Sequence, residues 1–284
     1  MTPPPARIDA HHHVWDLRRR PQPWTDGLPA LRRSFGYDEL VPALDDAGID
    51  ATVLVHTVAS FDETLEMLAL AATHERIAGV VGWLDLNGAG LADQIARARS
   101  APGGRRLVGA RHQLQEEPDP RWLARPAVHA GLRTLAAAGL AYDVVVSAHQ
   151  LPVVIDAVRT LPEVRFVLDH AGKPAIAAGE LDDWRHAIAE LATAPNVAVK
   201  LSGLVTEADW SRWSVAQLRP VAGHILASFG PERTMFGSDW PVCLLAADYR
   251  AVADAAAELT ADLDEAAGQA VWGGTARAWY RLET

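Results

Sequence analysis

Short runs of aliphatic and β-branched residues alternate with longer helical patterns along the whole chain. The runs predict strands over residues 7–14, 51–58, 77–86, 107–114, 142–148, 165–170, 197–202 and 234–238. Several, such as Val144-Val145-Val146, are apolar on both faces, as strands buried in a parallel sheet must be. The stretches between them predict helices over 38–47, 62–74, 91–98, 126–138, 151–160, 182–194, 215–229 and 249–259. Asp62 reads as a helix N-cap, and Gly48 and Gly139 follow two helices as C-cap glycines. Residues 264–280 predict one further helix that packs Trp272, Trp279 and Tyr280 onto the body.

Eight strand–helix units with no Pro/Gly/Ser linker predict a single (β/α)8 barrel domain spanning residues 1–284. A doubly wound sheet is the rival, but no Gly-x-Gly-x-x-Gly or P-loop follows any strand. In a barrel the site lies at the C-terminal strand ends, and those ends are rich in polar residues. They carry His11-His12-His13, His56, Arg111-His112, His149, Asp169-His170, Lys200 and Asp239. Seven of the 11 histidines fall on this one rim, which marks it as the candidate site. Strand alternation puts His11 and His13 on one face and turns His12 away, so His11 and His13 suit a shared metal ion or ligand oxygen. Asp239 faces them across the closing strands, although it also suits a plain turn cap before Pro241. Arg111 and His112 read as a clamp for an anion or hydroxyl. Lys200 interrupts an apolar strand and needs the rim or a carboxylate. Trp15, Trp24 and Trp240 read as core or as aromatic walls, and His56 and His149 stay unassigned.

Composition narrows the function classes. The chain has 284 residues, 49% hydrophobic, and no apolar run long enough for a membrane span. Net charge is −10, and the only basic block is Arg18-Arg19-Arg20, so neither nucleic acid nor a membrane is an expected partner. Cys243 is the only cysteine and the start lacks an apolar leader, which together suit the cytoplasm.

Four segments then carry a resemblance: Ile8-Asp9-Ala10-His11-His12-His13, the run from Phe166 to Pro174, Lys200-Leu201-Ser202-Gly203-Leu204, and Phe236-Gly237-Ser238-Asp239-Trp240-Pro241. In this order they resemble the amidohydrolase superfamily (the amidohydrolase 2 type), and within it the sugar-lactonase branch. The resemblance implies a distorted (β/α)8 barrel that opens a small sugar-acid lactone. It implies Asp239 as general base, with His11, His13 and His170 around the carbonyl oxygen. It equally allows one Zn²⁺ held by His11, His13, His170 and Asp239, with no cofactor required. Arg111, His112 and Lys200 would bind sugar hydroxyls or an anion, between walls of Trp15, Trp24 and Trp240. Strand 4 offers Arg111-His112 where two-metal relatives keep a lysine or carboxylate, which speaks against a metal pair. A metal-dependent decarboxylase and a non-catalytic ligand-binding barrel are the alternatives, and a homo-oligomer is left open.

Overall fold

Strands that are apolar on both faces need cover on both, and the chain supplies helices outside and side chains within. The computed structural model describes residues 6–283. Its eight strands are β1 (Ile8–His12), β2 (Ala51–Val55), β3 (Ile77–Gly82), β4 (Leu107–Gln113), β5 (Ala141–Val145), β6 (Phe166–Leu168), β7 (Val197–Leu201) and β8 (Thr234–Phe236). They lie parallel in chain order, each bonded to the next, which is the expected (β/α)8 arrangement. Helices α1 (Tyr37–Ala47), α2 (Phe61–Ala71), α3 (Leu91–Ser100), α4 (Pro126–Ala137), α5 (Leu151–Thr160), α6 (Asp182–Leu191), α7 (Val215–Phe229) and α8 (Tyr249–Leu259) form the outer ring. Their apolar stripes pack onto the outward strand residues, such as Val197, Val199 and Leu201 of β7. Among the described residues no helix is long and apolar enough to cross a membrane.

Local details differ from the sequence pattern in three places. The N-cap of α2 is Ser60, whose side chain accepts from the Glu63 amide, and Asp62 lies in the first turn. There its charge still meets the positive end of the helix dipole. β6 stops at Leu168, because the chain turns left-handed at His170. The expected C-terminal helix is three pieces: α9 (Glu265–Gln269), a π turn (Ala270–Gly274) and α10 (Thr275–Tyr280). Trp272 stacks on Phe236 of β8, while Trp279 donates to the Phe166 carbonyl.

Inside the barrel the lower layer is apolar. Ile8, Ala10, Val53, Val167, Ala198 and Met235 pack there against Tyr280 and Ala276 of α10, which plugs the floor. Above it lies a fully buried ionic layer. Lys200 Nζ sits 2.6 Å from Asp143 Oδ2 and 2.9 Å from Asp169 Oδ1. Arg111 donates to Asp169 Oδ2 at 2.9 Å, and the Tyr280 hydroxyl donates to Asp143 Oδ2 at 2.7 Å. Two cations therefore face two carboxylates, and the layer balances without solvent. Burial works against the Asp169 charge, but Lys200, His11 and Arg111 outweigh it and hold the carboxyl well below its usual range. Asp143 is pushed up to about 6 by burial, against the pull of Lys200.

Removing one partner from a buried charge set costs about 3–5 kcal/mol, because the orphaned charge stays desolvated. Lys200→Met should therefore lower unfolding free energy by about that much. Adding Asp143→Asn in the same chain should recover part of the loss. Urea unfolding of the two single variants and the double variant measures the coupling; additive losses would mean that the lysine and the aspartate do not support each other.

Candidate active site

The site grows from the seam that closes the barrel. At the ends of β1 and β8 the Asp239 amide donates to the His11 carbonyl at 2.8 Å, and the His13 amide to the Trp240 carbonyl at 2.6 Å. Asp9 stitches the same seam: its Oδ1 accepts from the His11 and Ser238 amides, at 3.1 and 2.8 Å, and its Oδ2 from the Tyr249 hydroxyl. β1 carries a register shift between Asp9 and His12. That bulge changes the phase of the strand, so that His11 joins the interior face already occupied by Ile8 and Ala10. His11 and His13 then point into the barrel mouth, with their Nε2 atoms 3.1 Å apart. His12 turns outward to Thr52, 3.0 Å away, and burial lowers its pKa to about 3.

Three imidazole Nε2 atoms converge on one carboxylate oxygen. Asp239 Oδ1 lies 3.7 Å from His11, 3.4 Å from His13 and 3.8 Å from His170. Each ring is held through its other nitrogen. His13 Nδ1 donates to the Val55 carbonyl at 2.7 Å, which aims its Nε2 at the site. His170 Nδ1 is 2.9 Å from Ser202 Oγ, and His11 Nδ1 is 3.3 Å from Asp169 Oδ1 and 3.0 Å from Lys200 Nζ. Burial, then Lys200, holds the His11 pKa well below its usual value, and burial lowers that of His170 to about 4. For Asp239, burial favours the acid, but His170, His13 and Lys173 together outweigh it and the carboxyl stays below its ordinary range. At neutral pH Asp239 is therefore a carboxylate beside the uncharged rings of His11 and His170.

This donor set fits a divalent cation. Tetrahedral zinc with bonds of about 2.0–2.1 Å places its ligand atoms roughly 3.3–3.4 Å apart. The ligand atoms of His11, His170 and Asp239 lie within 4.8 Å of one another, and His13 joins beside His11 and Asp239. Asp239 Oδ1 is buried with no hydrogen-bond partner among the described residues, which leaves it free for a ligand. Rings fixed through Nδ1 by a carboxylate, a carbonyl or a hydroxyl are also the usual setting for metal-binding histidines.

Above this floor opens a cavity of about 240 Å³, lined by His13, His170, Asp239 and Arg111 with Trp24, Gln113, Lys173, Glu207 and Trp210. The structure redistributes the other expected residues. Lys200 is fully buried beneath the cavity in the ionic layer, so the expectation that it binds sugar hydroxyls is corrected. His112 points off the cavity, stacked on Trp122 at 4.0 Å and 3.0 Å from Glu117. Strand alternation explains this, since β4 turns Arg111 and Gln113 inward and His112 outward. Trp15 and Trp240 are buried behind the wall, both edge-on to Phe35, and of the three expected tryptophans Trp24 lines the cavity. His56 is structural: its nitrogens lie 2.9 Å from the Val58 carbonyl and 3.0 Å from that of Arg111. His149 is exposed on a neighbouring outer cleft. Asp143, Lys173, Glu207 and Trp210 had no assigned part in the sequence pattern; the first interrupts an apolar strand as Lys200 does, which is a usable signal.

Backbone strain accompanies the site. His170, Ala171, Gly172 and Lys173 all have positive φ, between 50° and 70°, and Asp239 has φ 58°. Left-handed conformation costs roughly 1–2 kcal/mol for each non-glycine residue, so packing must enforce it. Gly203 is part of that packing. It has φ 64°, and a Cβ there would lie 2.7 Å from His170 Nδ1. Gly237 backs His11 in the same way, with a Cβ meeting the His11 Cβ at 2.8 Å. Gly203→Ala should displace the His170 ring and lower kcat at least tenfold, and a crystal structure of the variant would show the shift. His13→Ala should lower kcat/KM strongly while His12→Ala stays within a few-fold. Equal losses in steady-state assays of both would contradict the outward placement of His12.

The family model for amidohydrolases matches residues 8–282. An L-fucono-1,5-lactonase of Burkholderia multivorans is 44% identical, covering 97% of this chain and 96% of its own. A second L-fucono-1,5-lactonase, from Burkholderia ambifaria, is 36% identical over 98% and 96%. The crystal structure of a Burkholderia multivorans amidohydrolase with bound zinc superposes with a TM-score of 0.93, at 41% identity over 98% of this chain and 100% of that one. With nearly its full described length matched, this chain belongs to the amidohydrolase family.

Proposed function

We propose that the chain hydrolyses L-fucono-1,5-lactone or a closely related six-membered sugar lactone, with Asp239 as the base. Hydrolysis of a sugar lactone is the activity that the two Burkholderia relatives are named for, and they are 44% and 36% identical. A decarboxylase is a weaker reading. The 5-carboxyvanillate decarboxylase of Sphingomonas paucimobilis shares the fold at a TM-score of 0.66 and only 16% identity.

The observation that carries the reading is Asp239 itself, an ionised carboxylate that lines the cavity and whose buried Oδ1 has no hydrogen-bond partner among the described residues. A water beside it attacks the lactone carbonyl carbon, and its proton passes to Oδ1. Collapse of the tetrahedral intermediate breaks the bond to the ring oxygen, and the same proton returns to that oxygen as the hydroxyl forms. Such a positioned base contributes about 10²–10⁴-fold. Negative charge grows meanwhile on the carbonyl oxygen. Arg111 lines the cavity and has a buried Nε donor without a partner among the described residues, which supports a part in stabilising that charge. His13 cannot serve the oxyanion as a donor through Nε2 while its proton sits on Nδ1. Its part is to orient Asp239 or to ligate. His11, His13, His170 and Asp239 would hold a zinc ion, which when bound polarises the carbonyl and acidifies water.

A lactone is already an activated ester, and base plus donor suffice for its opening. Asp239→Asn keeps the shape and removes the base, so kcat for L-fucono-1,5-lactone should fall by about 10²-fold or more with the fold retained. Chelated protein, checked by elemental analysis, should keep most of its activity. Loss on chelation with recovery on added Zn²⁺ would make the ion part of the catalyst, and an active Asp239→Asn would remove the base assignment.

A further inference from the structure

Three charged side chains line the cavity with no hydrogen-bond or ion-pair partner among the described residues: Glu116, which is exposed, and the half-buried Lys173 and Glu207, which carry the argument below. Their neighbours are not so placed. Lys200 is taken up by Asp143 and Asp169, and Arg111 spends its terminal nitrogens on Asp169 and the His56 carbonyl. Lys173 ends the left-handed turn that begins at His170, so the turn that sets the imidazole also sets this ammonium over the same cavity. Glu207 comes from the loop after β7, and its carbonyl accepts from the Ala177 amide at 3.0 Å, tying that loop to the one that carries Lys173. Burial raises the Glu207 carboxyl and Lys173 pulls it back, which places the two in one electrostatic environment.

A sugar hydroxyl both donates and accepts, whereas an ammonium only donates and a carboxylate only accepts. An unpaired ammonium and carboxylate on one cavity wall therefore match hydroxyls and are wasted on methylene groups. Trp24 and Trp210 line the same cavity, the latter 45% exposed, and offer apolar faces to the C–H side of a sugar ring. We propose that Lys173 and Glu207 act together as the hydroxyl-recognising pair that makes this site prefer polyhydroxylated lactones to bare ones. The inference rests on the lactonase reading and names the residues that would set its selectivity.

The experiment compares Lys173→Met and Glu207→Gln with the parent chain on L-fucono-1,5-lactone and on δ-valerolactone, which has the same ring and no hydroxyls. Hydrogen bonds to charged groups predict that each variant lowers the ratio of kcat/KM values, sugar lactone over δ-valerolactone, by roughly 10–100-fold. Most of the change should lie in KM. An unchanged ratio in both variants overturns the pair. Calorimetric titration with L-fuconate, the ring-opened acid, keeps the two readings separate. If the parent chain opens neither lactone, the hydrolase reading fails, and the pair is then judged by binding alone. Affinity at least tenfold weaker in the variants supports it, and equal affinity overturns it.

Discussion

Two backbone hydrogen bonds between the ends of β1 and β8 close the barrel and create its active centre in the same step. Because the Asp239 amide is bonded to the His11 carbonyl and the His13 amide to that of Trp240, the carboxylate and the histidine pair cannot drift apart without opening the seam. Asp9 reinforces this from within, accepting from both strands at once and from Tyr249 behind. Burial pushes the Asp9 carboxyl up to about 6, against hydrogen bonds that favour its charge. The fold thus places a desolvated acceptor where the two strands need one, and stability and site geometry share it.

Beneath the seam, the barrel departs from the usual apolar filling of small barrels. Its interior holds Lys200, Asp143, Asp169 and Arg111 in one dry layer, with Tyr280 of α10 capping it from below. Desolvating four charges is expensive, and well-packed apolar residues often serve stability better. The layer has a positional use that apolar residues lack. Asp169 and Lys200 meet His11 Nδ1, and Asp169 orients Arg111, so the layer reaches a ring and a donor of the cavity floor. Its neutral balance also leaves Asp239 as the uncompensated charge of the floor, which suits both a base and a cation ligand.

Local strain follows the same logic. The left-handed run from His170 to Lys173 and the positive φ of Asp239 are unfavourable in isolation. They are held by close packing, seen most directly where Gly203 meets the His170 ring without room for a methyl group. A tight turn here carries two side chains, His170 and Lys173, to the lining of one cavity within four residues, which a regular strand end could not do.

The barrel, its strand order and the His11/His13/His170/Asp239 cluster were legible in the sequence. Hydrophobic runs of strand length, separated by amphipathic stretches, leave few packings, and chemistry-bearing residues at their C-terminal ends must share a rim. Alternation set His12 apart from His11 and His13, but the phase that turns the pair inward and His12 outward came from the register shift after Asp9. The same alternation separates Arg111 from His112, but the strand limits needed to apply it there came only with the fold. Other features depend on contacts distant in sequence. Lys200 meets Asp143, 57 residues away, inside the barrel, and no local pattern tells a buried partner from a substrate at the rim. Trp15 and Trp240 lie behind Trp24 because a long β1–α1 loop folds back over them. The sequence by itself determined which residues lie at or near the C-terminal ends of the strands. Tertiary structure decided which of them face the cavity and which are consumed by each other, because pairing of buried charges is settled by three-dimensional neighbours rather than by position along a strand.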